Sequence, residues 1–217
     1  MARALLRPAL KAAGKSIRVL IQPCLARAMK PIQLFDPTSS TYTYVLFDEV
    51  SREALIIDPV DEQVDRDLGV LREYGLKLMW TVETHTHADH ITSAGQLAEH
   101  TGAQTAAPAD CDIRTAAVQL RHGGTLKFGG QEILALATPG HTAGSMSYVW
   151  QVGAQAHVFT GDSLLIDGRG PTDFQSGRAE APYHTLTTVP FALPDEHPVR
   201  PGPTLQRRSH SPTAPAE

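Results

Sequence analysis

Within the six residues His85 to His90 there are four side chains that can bind a metal: His85, His87, Asp89 and His90, in the run Thr84-His85-Thr86-His87-Ala88-Asp89-His90. Imidazole nitrogen and carboxylate oxygen are the donors that first-row transition metals take from proteins. The apolar, β-favouring run Lys77–Glu83 comes before the motif and reads as a buried strand. After it, Ile91, Ala94, Leu97 and Ala98 follow helical spacing, with Gly102 as a stop. The motif is therefore expected on a strand-to-helix turn. Two histidines two apart at a strand end share a face and can turn toward one centre, and an Asp and a His in the following turn can complete or support it. The plain alternative is a polar loop with chance histidines, which four such side chains in six residues disfavour.

Two further groups stand in comparable places. His141 lies in the Pro-Gly turn of Ala137–Thr142, and Asp162 follows the apolar Val158-Phe159. A single His or Asp in a turn is ordinarily a solvated or capping group. Here both occupy strand exits, as His85 and His87 do, so the pattern points to a convergent site.

The elements that must position these groups come in two series. Tyr42–Phe47 and Ala54–Ile57 read as a hairpin ending in Asp58-Pro59, and a helix follows through Val60, Val64, Leu68 and Leu71, with Gly75 as its stop. After the motif come a short apolar run at Ala103–Ala107 and an expected helix over Asp110–Arg121. A second β series then runs through Thr125–Phe128, Glu132–Ala137, Ser145–Val152 and Ala156–Phe159. Two β series with helices between them imply two packed sheets with helices outside, an α/β four-layer αββα sandwich.

Composition limits the function classes. A chain of 217 residues suits one domain with extensions, and a net charge of −4 gives no basic field for nucleic acid. The two cysteines, Cys24 and Cys111, form no CxxC pair and read as inert thiols of a reduced compartment. No apolar run is long enough to span a membrane. His100, His122 and His157 read as structural or solvated, and Met79, Trp80, Met146 and Trp150 as core.

Thr84–His90, Thr138–His141 and Thr160–Asp162, in that order, resemble the motifs of the metallo-β-lactamase superfamily, over about residues 32 to 196. Within it, Gly161-Asp162-Ser163-Leu164-Leu165-Ile166 followed by Thr172-Asp173-Phe174-Gln175 resembles the persulfide dioxygenase branch rather than its glyoxalase II-like sister. The resemblance implies one Fe(2+) per chain, held by His85, His141 and Asp162, with His87, Asp89 and His90 supporting them. It implies glutathione persulfide and O2 as substrates and sulfite and glutathione as products, in sulfide catabolism. In the sister branch, a zinc thioester hydrolase (hydroxyacylglutathione hydrolase), the same three supporting residues help hold a second metal, and Zn(2+) replaces iron.

The chain also departs from that pattern. Pro171 stands where the branch has an Arg before its TDFQ run, and Arg169, two residues earlier, is the candidate substitute for binding substrate. After Glu196 the expected last strand and its His give way to a proline-rich stretch, with Pro203 in that histidine's place, as if the reading frame changed. The expected organisation is thus a basic extension over 1–31, a catalytic domain over 32–196 and a disordered tail over 197–217, with the last strand and helix missing. A truncated, weakly active family member is the third reading. Residues 1–30 lack acids and resemble a transit peptide, but a disordered extension is the preferred reading, so the expected location is cytoplasmic, with the mitochondrial matrix as the alternative. A homodimer is left open.

Overall fold

The computed structural model describes residues 29–165 and 199–202. The basic extension, Arg169, Pro171, the TDFQ run and most of the tail lie outside the described residues.

Period-two alternation organises the first sheet. Its strands β1 (Ile32–Asp36), β2 (Thr41–Phe47), β3 (Glu53–Ile57), β4 (Lys77–Val82), β5 (Gln104–Pro108) and β6 (Val118–Leu120) lie side by side in sequence order. The first three pair antiparallel, and β3 through β6 pair parallel. Leu55 and Ile57 of β3 face the second sheet, whereas Ala54 and Ile56 face the helices. Those helices are α1 (Val64–Glu73) and α2 (Ala94–Thr101), the crossover elements that parallel pairing requires. Leu71 and Leu97 carry their buried faces.

The second sheet follows the order β11-β10-β9-β8-β7, where β7 is Thr125–Phe128, β8 Gln131–Ala137, β9 Met146–Val152, β10 Gln155–Leu165 and β11 Val199–Gly202. Between the sheets lies the main core, with Tyr44, Leu46, Phe128, Tyr148, Trp150 and Phe159 buried together. Met146 and Trp150 are buried here, and Met79 and Trp80 pack partly buried against the cluster, as their sequence positions implied. The two sheets and the helical layer on the first are three of the four layers of the expected αββα sandwich; among the described residues no helix covers the second sheet.

At the end of the sheets remote from the metal motif, turns from both sheets meet. Gly130 N–H donates to Asp48 Oδ2 at 3.0 Å, and Gly129 N–H to Glu53 Oε2 at 2.7 Å. Trp80 Nε1 donates to the Lys127 carbonyl at 2.9 Å, adding a third tie.

Two expectations are corrected. Asp110–Arg121 is not a helix: a short 3-10 turn at Ala109–Cys111 ends where Asp112 takes a left-handed conformation (φ 53°), and Val118–Leu120 is strand. Pairing of β6 with β5 claims the backbone that a helix would have used. In the tail, Val199–Gly202 is not without structure but pairs parallel with β10. Backbone pairing needs only N–H and C=O groups, and the edge position of β11 is where a sheet tolerates a proline such as Pro201.

Candidate metal centre

The sequence places the histidine motif immediately after β4, and hydrogen bonds there fix how the chain turns. Glu83 N–H still bonds to the Ala106 carbonyl, extending the sheet by one residue. Next, Thr84 N–H turns to Asp58 Oδ1 at 2.7 Å and its hydroxyl to Asp58 Oδ2 at 2.8 Å. Asp58 stands at the exit of β3, with a left-handed backbone (φ 49°) that aims its carboxylate across to β4. His85 follows, buried, with Nδ1 2.8 Å from the Thr84 hydroxyl.

The other two groups arrive from the second sheet. After β8, Thr138 N–H bonds to the Ser145 carbonyl and Gly140 N–H to the Thr142 carbonyl, a tight turn that carries His141 at its tip. Within β10, Gly161 adopts φ 48° directly against Thr84, and Asp162 comes next. A Cβ at residue 161 would lie 2.8 Å from the Thr84 Cβ, so only glycine permits this approach.

These elements bring His85, His141 and Asp162 together, one ligand atom from each lying within 4.8 Å of the others. The His85 and His141 rings meet edge to face with centroids 4.9 Å apart, and His141 Nε2 is 3.8 Å from Asp162 Oδ2. Two imidazoles and a carboxylate that close form a donor set that suits a divalent transition metal. His87, Asp89 and His90 form a separate group of the same compactness, and Asp58, Glu83 and His87 a third. The six motif residues thus fall into two adjoining sets, the same grouping that the family resemblance implied for ligands and supporting residues.

Charge differs sharply across that division. Burial, reinforced by the neighbouring His87, pushes the His85 pKa well below the usual histidine value, so its imidazole is neutral and ready to donate a lone pair. Burial acts the same way on His87. Asp58 and Glu83, each with a carboxylate oxygen 3.2 Å from its Nε2, outweigh that effect and raise its pKa well above the usual value. Burial also raises the Asp162 pKa, against the pull of His141. A cation bound between them would favour the ionised carboxylate. At the rim, the Thr41 hydroxyl donates to Asp89 Oδ2 at 3.0 Å and lies 3.3 Å from His90 Nδ1. Burial works against ionisation of Asp89, but His90 and His87 hold its carboxyl below the usual range.

A recess of about 290 Å3 opens beside the motif, with His85, His87 and Glu83 in its wall and Ile91 and Ile113 at its lip. Sequence reasoning did not single out Asp58, Glu83 or Thr41. Asp58 had the signal that found His141 and Asp162, a polar group at a strand exit. Glu83 read as the last strand residue, and Thr41 lay just outside the expected strand Tyr42–Phe47, which the structure extends to include it.

The histidines set aside as structural are so placed. His100 Nδ1 meets the Gln96 carbonyl, His122 Nδ1 accepts from Ala137 N–H, and His157 is buried against Trp150. Cys111 is half-buried, its thiol donating to the Gly144 carbonyl, and burial pushes its pKa up. It is not an activated nucleophile.

No family model matches the chain. Among curated proteins, it is 43% identical over 162 residues to the mouse protein named "Persulfide dioxygenase ETHE1, mitochondrial", a match that takes in 75% of this chain and 63% of the relative. The chain therefore spans a little under two thirds of that protein. Among solved structures, ETHE1 from Myxococcus xanthus is 47% identical with a TM-score of 0.79, over 85% of this chain and 80% of that one. A metallo-β-lactamase from Staphylococcus aureus shares the fold at a TM-score of 0.77 and 23% identity, over 86% of this chain and 60% of that one.

Proposed function

The chain belongs to the metallo-β-lactamase superfamily, with the ETHE1 persulfide dioxygenases as its homologues, and from that premise we propose that it is itself an iron-dependent persulfide dioxygenase. The proposed substrate is glutathione persulfide. Both atoms of O2 go to its outer sulfur, which gives up the four electrons that reduce O2. With one water the products are sulfite, glutathione and two protons.

The observation that carries this reading is the compact set His85, His141 and Asp162, separate from His87, Asp89 and His90. Two histidines and one carboxylate this close are a donor set that would suit a single iron ion and would leave it able to take substrates. When bound, iron(II) supplies the one-electron chemistry that ground-state O2 needs. The protein's own part is to present neutral His85 from the turn after β4 and Asp162 from within β10, where a bound cation would favour the ionised carboxylate. His87 stays out of that set: Asp58 and Glu83 hold its Nε2, which fixes the ring beside His85 at a centroid separation of 4.2 Å. A metal held by His85, His141 and Asp162 would bring the persulfide and O2 together and so lower the entropic cost of their reaction.

Binuclear zinc thioester hydrolysis is the second reading, and it is the grouping of His87, Asp89 and His90 next to the triad that favours it. Arg169, assigned in this proposal to substrate binding, lies outside the described residues. As for compartment, no helix among the described residues is long and apolar enough to cross a membrane. The acid-free stretch 1–30 and the mouse relative's name support a mitochondrial location, the alternative to a cytoplasmic one.

Oxygen-electrode traces of iron-loaded protein test the proposal. O2 uptake is expected only when glutathione persulfide is supplied, with one sulfite formed per O2. Cleavage of a glutathione thioester without O2 uptake would instead establish the hydrolase, and neither activity would leave the weakly active, truncated reading.

A further inference from the structure

The Thr84 hydroxyl has one proton and two neighbours at the same distance. Its Oγ1 lies 2.8 Å from Asp58 Oδ2 and 2.8 Å from His85 Nδ1. An ionised carboxylate only accepts, so the hydroxyl proton belongs on the Asp58 side. The Thr84 oxygen then accepts from Nδ1–H of His85. An imidazole that carries its proton on Nδ1 has its free lone pair on Nε2.

We propose that Thr84 is a positioning residue, the centre of an Asp58–Thr84–His85 relay that fixes His85 in the Nδ1–H tautomer and so offers Nε2 to the metal. The proposal rests on the reading of His85 as a metal ligand. The surroundings leave Thr84 little freedom to do otherwise. Its N–H is spent on Asp58 Oδ1 at 2.7 Å, and its carbonyl accepts Met146 N–H from β9 at 2.9 Å. Its side chain is also the surface against which Gly161 packs, so the same residue meets the strand that carries Asp162. One threonine thereby ties the ligand from the first sheet to a ligand from the second. Groups that hydrogen-bond the far nitrogen of a ligating histidine set its orientation and basicity, and losing one typically costs about 10–100-fold in metal affinity.

Two substitutions in the full chain separate this role from packing. Thr84→Val keeps the branched shape and removes the hydroxyl, whereas Thr84→Ser keeps the hydroxyl. Co(2+) affinity, measured by competition with a chromophoric chelator, is expected to fall about 10–100-fold in Thr84→Val and to stay near wild type in Thr84→Ser. Nitrogen-15 NMR of metal-free protein labelled at histidine is expected to show His85 with its proton on Nδ1 in the wild type and in Thr84→Ser. A mixture of tautomers is expected in Thr84→Val.

Wild-type affinity and an unchanged tautomer in Thr84→Val would overturn the proposal. So would a wild-type His85 protonated on Nε2, and that spectrum decides the matter even if Thr84→Val fails to fold. If the tautomer behaves as expected but the wild type binds no Co(2+), the relay stands and the reading of His85 as a metal ligand fails.

Discussion

His85 and His87 leave the same strand two residues apart, yet buried surroundings assign them opposite charge states. His85 has the Thr84 hydroxyl at Nδ1, and His87 has two carboxylates at Nε2. Asp58 is common to both arrangements, since it receives the Thr84 N–H, the Thr84 hydroxyl and His87. Replacing it with alanine leaves those donors unmatched in a buried place. Breaking a buried ion pair from one side typically costs about 3–5 kcal/mol. Asp58→Ala is therefore expected to lower the urea midpoint sharply, as followed by circular dichroism, and a midpoint within error of wild type would count against this network. At this scale the sequence revealed the ligand types through their density: four metal-competent groups in six residues are hard to read otherwise. Asp58 and Glu83 stayed hidden because one acid at a strand end looks the same whether it caps a turn or holds a histidine. Only the pairing of β3 with β4 brings Asp58 to Thr84.

The tie between turns at the remote end shows how elements rather than single groups hold the two sheets. Gly129 has φ 59°, and a Cβ there would overlap Ser51 Oγ and Asp48 Oδ2. Gly129→Ala combines a left-handed strain with that overlap and is expected to cost more than about 1 kcal/mol, read from the denaturation midpoint. The Gly130 N–H bond is the main cause that holds the Asp48 carboxyl below the usual range, against burial. A folded-state pKa below the unfolded one adds stability that is complete above the unfolded value, about 3.9, and is lost as pH falls through the folded value. Asp48→Asn should therefore be less stable than wild type near neutrality, with the gap closing as the solution is acidified below about pH 4. A gap that is the same at both pH values would show that the carboxylate's charge is not what matters.

Elements were the most legible part of the sequence. The hairpin at Tyr42–Ile57, the strand before the motif and the second β series are all present, because alternation and glycine-rich turns encode them locally. Asp110–Arg121 was misread because its strand pairing depends on β5, a partner that periodicity within the segment does not reveal. Val199–Gly202 was misread because prolines suggested disorder, whereas its order comes from β10.

In the whole molecule, the packing of two sheets is what assembles the centre, since His85 comes from the first sheet while His141 and Asp162 come from the second. A change that loosens the interface between the sheets is therefore expected to weaken metal binding from a distance. Trp150 is fully buried in that interface, and truncating such a side chain to alanine typically costs about 3–5 kcal/mol. Trp150→Ala is expected to lower both the melting temperature and the metal retained through gel filtration. Loss of stability with unchanged metal retention would separate the core from the site. The sandwich was readable as two β series with intervening helices, and the family resemblance already divided the six motif residues into His85, His141 and Asp162 and a supporting set; what it did not reveal is the part Asp58 and Glu83 take in holding His87 apart. That part depends on where buried carboxylates sit in three dimensions.

The most direct test is metal stoichiometry by elemental analysis of the iron-loaded wild type beside His141→Ala and His90→Ala. A single centre at His85, His141 and Asp162 requires about one metal per chain in the wild type, near none in His141→Ala, and the wild-type value in His90→Ala. Two metals per chain in the wild type, falling to one in His90→Ala, would contradict the mononuclear centre and with it the dioxygenase reading.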